Sequence, residues 1–195
     1  MRMLLAVMLF VLAGCSTNEV KDSWKDPAFS GPALKQVMVF GVSKSESNRR
    51  VFEDGFSKAL QAAGVGASPG YAAVPETGAV ANERLDAAVK KTASDAVLVV
   101  RVLRVKQNVH VSPGYASPGF YGRGYRGYYG GAYATMTPDV DVYDVITIEA
   151  TLFNAAADKP VWSGTTELVE PKSVAAATEQ LAKTLITKMK ADGVI

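Results

Sequence analysis

The sequence is poor in the residues that most often carry chemistry. Among its 195 residues there is one histidine, His110, and one cysteine, Cys15. That count excludes a His-based triad with a cysteine nucleophile and a multi-histidine metal site. No catalytic residue, metal or cofactor is therefore expected. A lone cysteine also excludes an internal disulfide, so burial must hold the fold together. The apolar run from Met3 to Val11 is about half the ~20 residues needed to span a bilayer, which argues against a permanent span. Charge of one sign is lacking too, with 21 basic against 19 acidic residues. A near-neutral chain has no bulk field to draw nucleic acid, and none is expected as a partner.

What the chain does have begins at its start. Arg2, the apolar run and the small residues after it have the layout of a secretory signal peptide. Ending in Leu12-Ala13-Gly14-Cys15, it resembles the lipobox of bacterial lipoproteins. The resemblance implies cleavage between Gly14 and Cys15, a diacylglycerol on the Cys15 sulfur, and a further acyl chain such as palmitate on the new amino group. An ordinary secreted protein would instead carry a purposeless thiol at its N-terminus. Two or more acyl chains give stable anchoring. Ser16 stands where enterobacterial lipoproteins kept at the inner membrane have Asp, so the expected location is the outer membrane, facing the periplasm. The expected organisation is a signal peptide (1–14), a lipidated tether (15–34) and a single periplasmic domain (35–195). A flexible segment of ~20 residues spans roughly 25 Å, which keeps the domain near its membrane. Trp24 in that tether is read as packing on the domain surface, with membrane-interface contact as the other reading.

Gln36 to Val42 is nearly all apolar and bounded by turn signals, which predicts a strand buried on both faces. Ser45 or Ser47 caps the helix that follows, with Phe52, Phe56 and Leu60 inward and Gly64 at its end. Its polar and charged residues, Asn48 to Arg50, Glu53, Asp54 and Lys58, read as a solvated face. Val65 to Tyr71, broken by Pro69 and Gly70, predicts a weak edge strand. A second helix runs from about Asn82 to Thr92, with Leu85, Ala88 and Val89 inward. Two long strands follow, Ala96–Val111 and Thr135–Asn154, then Val161–Val169 and a last helix capped by Ser173 and closed by Gly193. The expected fold is α/β (α+β): a single mixed sheet of about five strands with two to three helices packed on it. Its order is β-α-β-α-β-β-α around a long hairpin with a disordered tip, the 161–169 strand being set before the final helix.

Between the long strands lies a Gly/Tyr-rich insertion, 112–134, holding six of the eight tyrosines and seven of the 17 glycines. Without aliphatic side chains it cannot build a core, so it reads as a flexible loop. Tyr115, Phe120, Tyr121, Arg123, Tyr125, Arg126, Tyr128, Tyr129 and Tyr133 form its possible binding surface. Rings beside arginines can adhere to envelope polymer or protein, stack on nucleic acid, or lie at a membrane interface. The glycine pairs at 122/124 and 130/131 lack the strand, helix and Lys-Ser/Thr of a phosphate loop. Asp139, Asp141 and Asp144 straddle both faces of one strand, so pairing with the basic strand opposite is expected rather than a calcium site. A register in which paired numbers sum to 245 sets Arg101 against Asp144, Arg104 against Asp141 and Lys106 against Asp139. The rival sums to 250 and sets Arg101 against Glu149, at the cost of opposing Arg104 to Ile146.

Trp24-Lys25-Asp26-Pro27, Val37–Val42, Asn48–Asp54, Ala63-Gly64-Val65, Ser94–Val99 and Lys159–Gly164 together resemble uncharacterised Gram-negative lipoproteins with a Gly/Tyr-rich insertion. The strand-helix order is similar to the periplasmic α/β domains of LpoB, CsgG and the TolB N-terminus. The resemblance implies no known activity. Its first reading is a non-catalytic lipoprotein that presents its domain to a protein or to peptidoglycan. The alternative is a subunit of an outer-membrane secretion or transport assembly like that of CsgG, with an enzyme third.

Overall fold

A computed structural model describes residues 19–76, 78, 80–112 and 139–195; of 110–112 and 139–141 the backbone alone is described. In chain order the elements are β1 (Val20–Lys25), β2 (Gln36–Gly41), α1 (Glu46–Ala62), β3 (Gly66–Pro69), α2 (Asn82–Lys91), β4 (Ala96–Ser112), β5 (Asp139–Asn154), β6 (Lys159–Val169) and α3 (Val174–Ala191). They form one mixed α+β sheet of six strands in the order β1-β6-β5-β4-β2-β3. Strand β2 runs parallel to both neighbours, and the other pairs are antiparallel. Because β3 and β4 flank β2 on opposite sides, right-handed crossovers carry α1 and α2 over opposite faces of the sheet.

The front face holds the main core. Phe56 and Leu60 of α1 and Leu181, Leu185 and Met189 of α3 close over Val37, Val39, Leu98, Val100, Ala150 and Leu152. The expected caps are in place: Ser45 Oγ accepts from Asn48 N and Ser173 Oγ from Ala176 N, while Gly64 and Gly193 take positive φ after α1 and α3. Trp162 of β6 is fully buried. Its indole Nε1 donates to Asp192 Oδ2 at 2.8 Å, and Lys188 Nζ lies 2.7 Å from Oδ1. Burial alone raises the Asp192 carboxyl, but these two hydrogen bonds, together with the charges of Lys188 and Lys25, outweigh it and hold the group below its ordinary value. The back face carries a smaller cluster in which Met38 and Val74 meet Ala88, Leu85 and Val89 of α2.

Three expectations are corrected. Residues 20–25, read as tether, are a strand, β1, paired with β6 from Val20↔Thr166 to Lys25↔Trp162. Trp24 lies on that strand opposite Ser163 and is 46% exposed rather than packed on the domain. Lacking an apolar alternation, β1 is held by backbone hydrogen bonds, which the side-chain pattern does not announce.

The hairpin register is also different. Arg101 pairs with Glu149 at a number sum of 250, the rival register, so Arg101 does not meet Asp144, nor Arg104 Asp141, nor Lys106 Asp139. Arg104 faces Thr147 and Lys106 faces Val145, beyond a bulge between Val102 and Arg104. Burial decides this: Ile148, Ala150 and Leu152 must lie in the front core, and this register sets them beside Val102, Val100 and Leu98, of which Val100 and Leu98 are buried with them. The apolar positions of β4 then change phase from even to odd numbers, and the extra residue at the bulge puts Val105 opposite Ile146 on that same face. Exposed ion pairs of ~0.2 to 1 kcal/mol could not oppose that burial.

The third correction concerns α1, whose charged face is not wholly solvated. Arg49 and Glu53 are buried.

Candidate functional site

Gly14, Cys15 and the nine aromatic and arginine positions from Tyr115 to Tyr133 lie outside the described residues. Two features of the described sheet remain as candidates, a polar knot bordering a groove on its back and an arm at the far end of β4.

The knot grows from the spacing of α1. Arg49, Glu53, Phe56 and Leu60 are four, three and four residues apart, so a buried ion pair continues the stripe that carries the core. Arg49 Nε donates to Glu53 Oε1 at 2.8 Å. The same oxygen accepts from Gly41 N at 3.0 Å, and Oε2 from Tyr71 N at 2.6 Å. Arg49 also donates to the carbonyls of Glu76 and Val74 at 2.6 and 3.0 Å. One ion pair thus clamps the end of β2 and the 71–76 loop onto α1. At its outer side the Tyr71 hydroxyl donates to Asp54 Oδ1 at 2.9 Å, which raises the phenol, and the Arg50 guanidinium lies 5.2 Å from the ring centre. Sequence reading missed this pair because both residues are charged. The available signal was their heptad spacing with Phe56 and Leu60.

Beside the knot, α2 stands over β2 and leaves a groove of about 1200 Å³ against β4 and β5. Phe40, Val97, Val99 and Phe153 form its floor, Val80, Leu85 and Val89 its wall, and Arg49 borders it. Lys44, Lys90, Asp86 and Asp158 stand around it.

The arm follows from unequal strand lengths. Strand β2 pairs with β4 only as far as Gly41↔Val100, and β6 pairs with β5 only back to Val145↔Val169. From Gln107 to Ser112, β5 is the sole neighbour of β4 among the described strands, over a length of about 20 Å. Apolar residues are left in solvent on the arm and at its base: Val109 at 61% and Val142 on the arm, and Val102, Leu103 and Val105 at 59% just before it. The outer edge of β4 past the bulge is unpaired by any described strand and carries Arg104 and Lys106, charges of the kind that blunt an edge. The sequence-predicted insertion joins the two strands of this arm. Among the described residues no three His, Cys, Asp or Glu side chains are gathered as metal ligands, and no helix is long and apolar enough to cross a membrane.

No protein-family model matches the sequence, and no curated protein does. Among solved structures the chain is similar to PelC from Paraburkholderia phytofirmans, described as a dodecamer, at 16% identity over 84% of this chain and 94% of that one, with a TM-score of 0.46. It is similar to lipoprotein GNA1162 from Neisseria meningitidis at 15% identity over 80% and 99%, TM-score 0.44. A minor lipoprotein from Acinetobacter baumannii matches at 12% identity over 81% and 94%, TM-score 0.37.

Proposed function

We propose that this chain is a non-catalytic lipoprotein of the outer membrane, anchored through Cys15, that offers the β4–β5 arm to a protein or cell-wall partner in the periplasm. The arm supports the reading best. A domain rarely leaves aliphatic side chains clustered in solvent, here Val102, Leu103 and Val105 at the base of the arm and Val109 opposite Val142 on the two-stranded ribbon, which on its own is of marginal stability, unless something covers them. The Gly/Tyr segment that joins the two strands in sequence carries rings and arginines suited to the same kind of contact. A photoreactive residue at Val109, activated in cells, tests the reading: a defined envelope partner is expected, and its loss on Val142→Asp. Unchanged crosslinking in that variant, or none above the level of an exposed control at Lys58, overturns it.

The assembly-subunit reading is kept for one observation. The unpaired edge of β4 suits strand addition by a second copy as well as by a different chain. The same crosslink separates the two, since a ladder of self-adducts belongs to an assembly and a single foreign adduct to a presenter.

A further inference from the structure

The groove behind α2 lies at the opposite end of β4 from the arm and takes no part in the docking proposed above. The two faces of the same strands are covered unequally. Leu98, Val100 and Leu152 are fully buried at the front, whereas Val97, Val99 and Phe153 on the back are only half-buried. The short apolar stripe of α2 reaches Met38 and Val74 but goes no further across the sheet. The resulting trough, about 1200 Å³, is above the usual range of small-molecule pockets, and an apolar floor with a few polar groups at one end is their usual form.

The polar group at that end is Arg49, only 5% exposed. A guanidinium has five N–H donors. Three are engaged, by Glu53 Oε1 and by the carbonyls of Val74 and Glu76. The other two have no partner among the described residues, and burial makes an unsatisfied donor costly. Around the rim the cations Lys44 and Lys90 stand with the anions Asp86, Asp158 and Glu76, the last paired with Arg84 outside the groove, so no excess of rim cations draws an anion. Recognition of a head group therefore falls to the planar donors of Arg49, whose geometry fits a carboxylate. We infer that the groove binds a free long-chain fatty acid, its alkyl chain along Val97, Val99 and Phe153 and its carboxylate on the free N–H groups of Arg49.

The test uses the protein purified from membranes, placed in phosphatidylcholine vesicles with a diazirine-bearing palmitate, and maps adducts by mass spectrometry after illumination. Saturable adducts are expected within 85–89 and 97–99, reduced at least tenfold by unlabelled palmitate and much less by hexadecanol. Val99→Arg and Leu85→Trp, which charge or fill the trough, should each lower them tenfold. Melting curves identify either variant that fails to fold, and the other then decides. Val109→Asp in the arm should change nothing. Adducts that never saturate, that spread over the arm valines, or that persist in the folded groove variants overturn the site. Equal competition by hexadecanol overturns the carboxylate assignment.

Discussion

Glu53→Ala removes a carboxylate that holds three groups at once. The Arg49 guanidinium loses its counter-charge while it stays 5% exposed, and stripping one partner from a buried pair costs about 3–5 kcal/mol. The Gly41 and Tyr71 amides lose their acceptor as well. Each orphaned buried donor costs ~1–3 kcal/mol, less where water can enter, as beside the half-buried Tyr71. Taking these as overlapping rather than additive gives a loss of about 4 kcal/mol, a large share of the ~5–15 kcal/mol that holds a domain. For a domain of this size the melting midpoint should fall by roughly 8–16 °C. The control is Glu46→Ala on the same helix, which breaks the exposed Glu46–Arg50 pair and should cost under ~1 kcal/mol. Urea melts of both, with the Arg49→Ala/Glu53→Ala double variant losing less than the sum of the two single changes, complete the measurement. A Glu53→Ala midpoint no lower than that of Glu46→Ala would refute the clamp.

The Asp192 carboxyl sits below its ordinary value of 3.8 when folded, so its contribution is present above that pH and lost as pH falls through the folded value. Between pH 5 and pH 3 the parent should lose more stability than Asp192→Asn, and an equal acid limb would contradict the assignment. Gly164→Ala drives a Cβ into the buried Trp162 ring, and calorimetry should show a loss of about 1–3 kcal/mol from overpacking; a neutral result would mean the ring can move aside. Cys15→Ser should leave an uncut precursor without acyl chains on immunoblot and palmitate labelling, and a labelled product would sink the proposed anchor.

Strand and helix order was legible because apolar spacing follows from burial, as in Gln36–Gly41, Phe56/Leu60 and Leu181/Leu185/Met189. Strand β1 was not, since Val20–Lys25 joins an edge through its backbone and buries little. The hairpin register failed for a different reason. Charge pairs were visible in the sequence and weak, whereas the bulge that decides the alignment showed only as a change of phase between Val102 and Val105. For the candidate site, the long strands foretold the arm. The groove had no linear signature, because its floor residues look like any buried strand until the placement of α2 leaves them uncovered.

Strand β1 also sets how the domain responds to being pulled. Its main tie is the ladder to β6, helped by the Thr166 hydroxyl donating to the Glu19 carbonyl, Lys25 Nζ donating to the Asp192 carbonyl, the Lys21–Glu167 ion pair and Val20 against the edge of the core. Tension on the chain ahead of Val20 therefore reaches β6 through these bonds first. Drawn along its own axis, β1 resists with all its rungs in shear; lifted from the sheet edge, it yields rung by rung. It is the least buried strand for its length among those described, and low burial of this kind predicts that it opens before the core does. Release of six residues lengthens the leading segment by about 20 Å while the other five strands stay folded. The edge strand is in this sense a mechanical fuse, sparing the core from force applied at the N-terminal side.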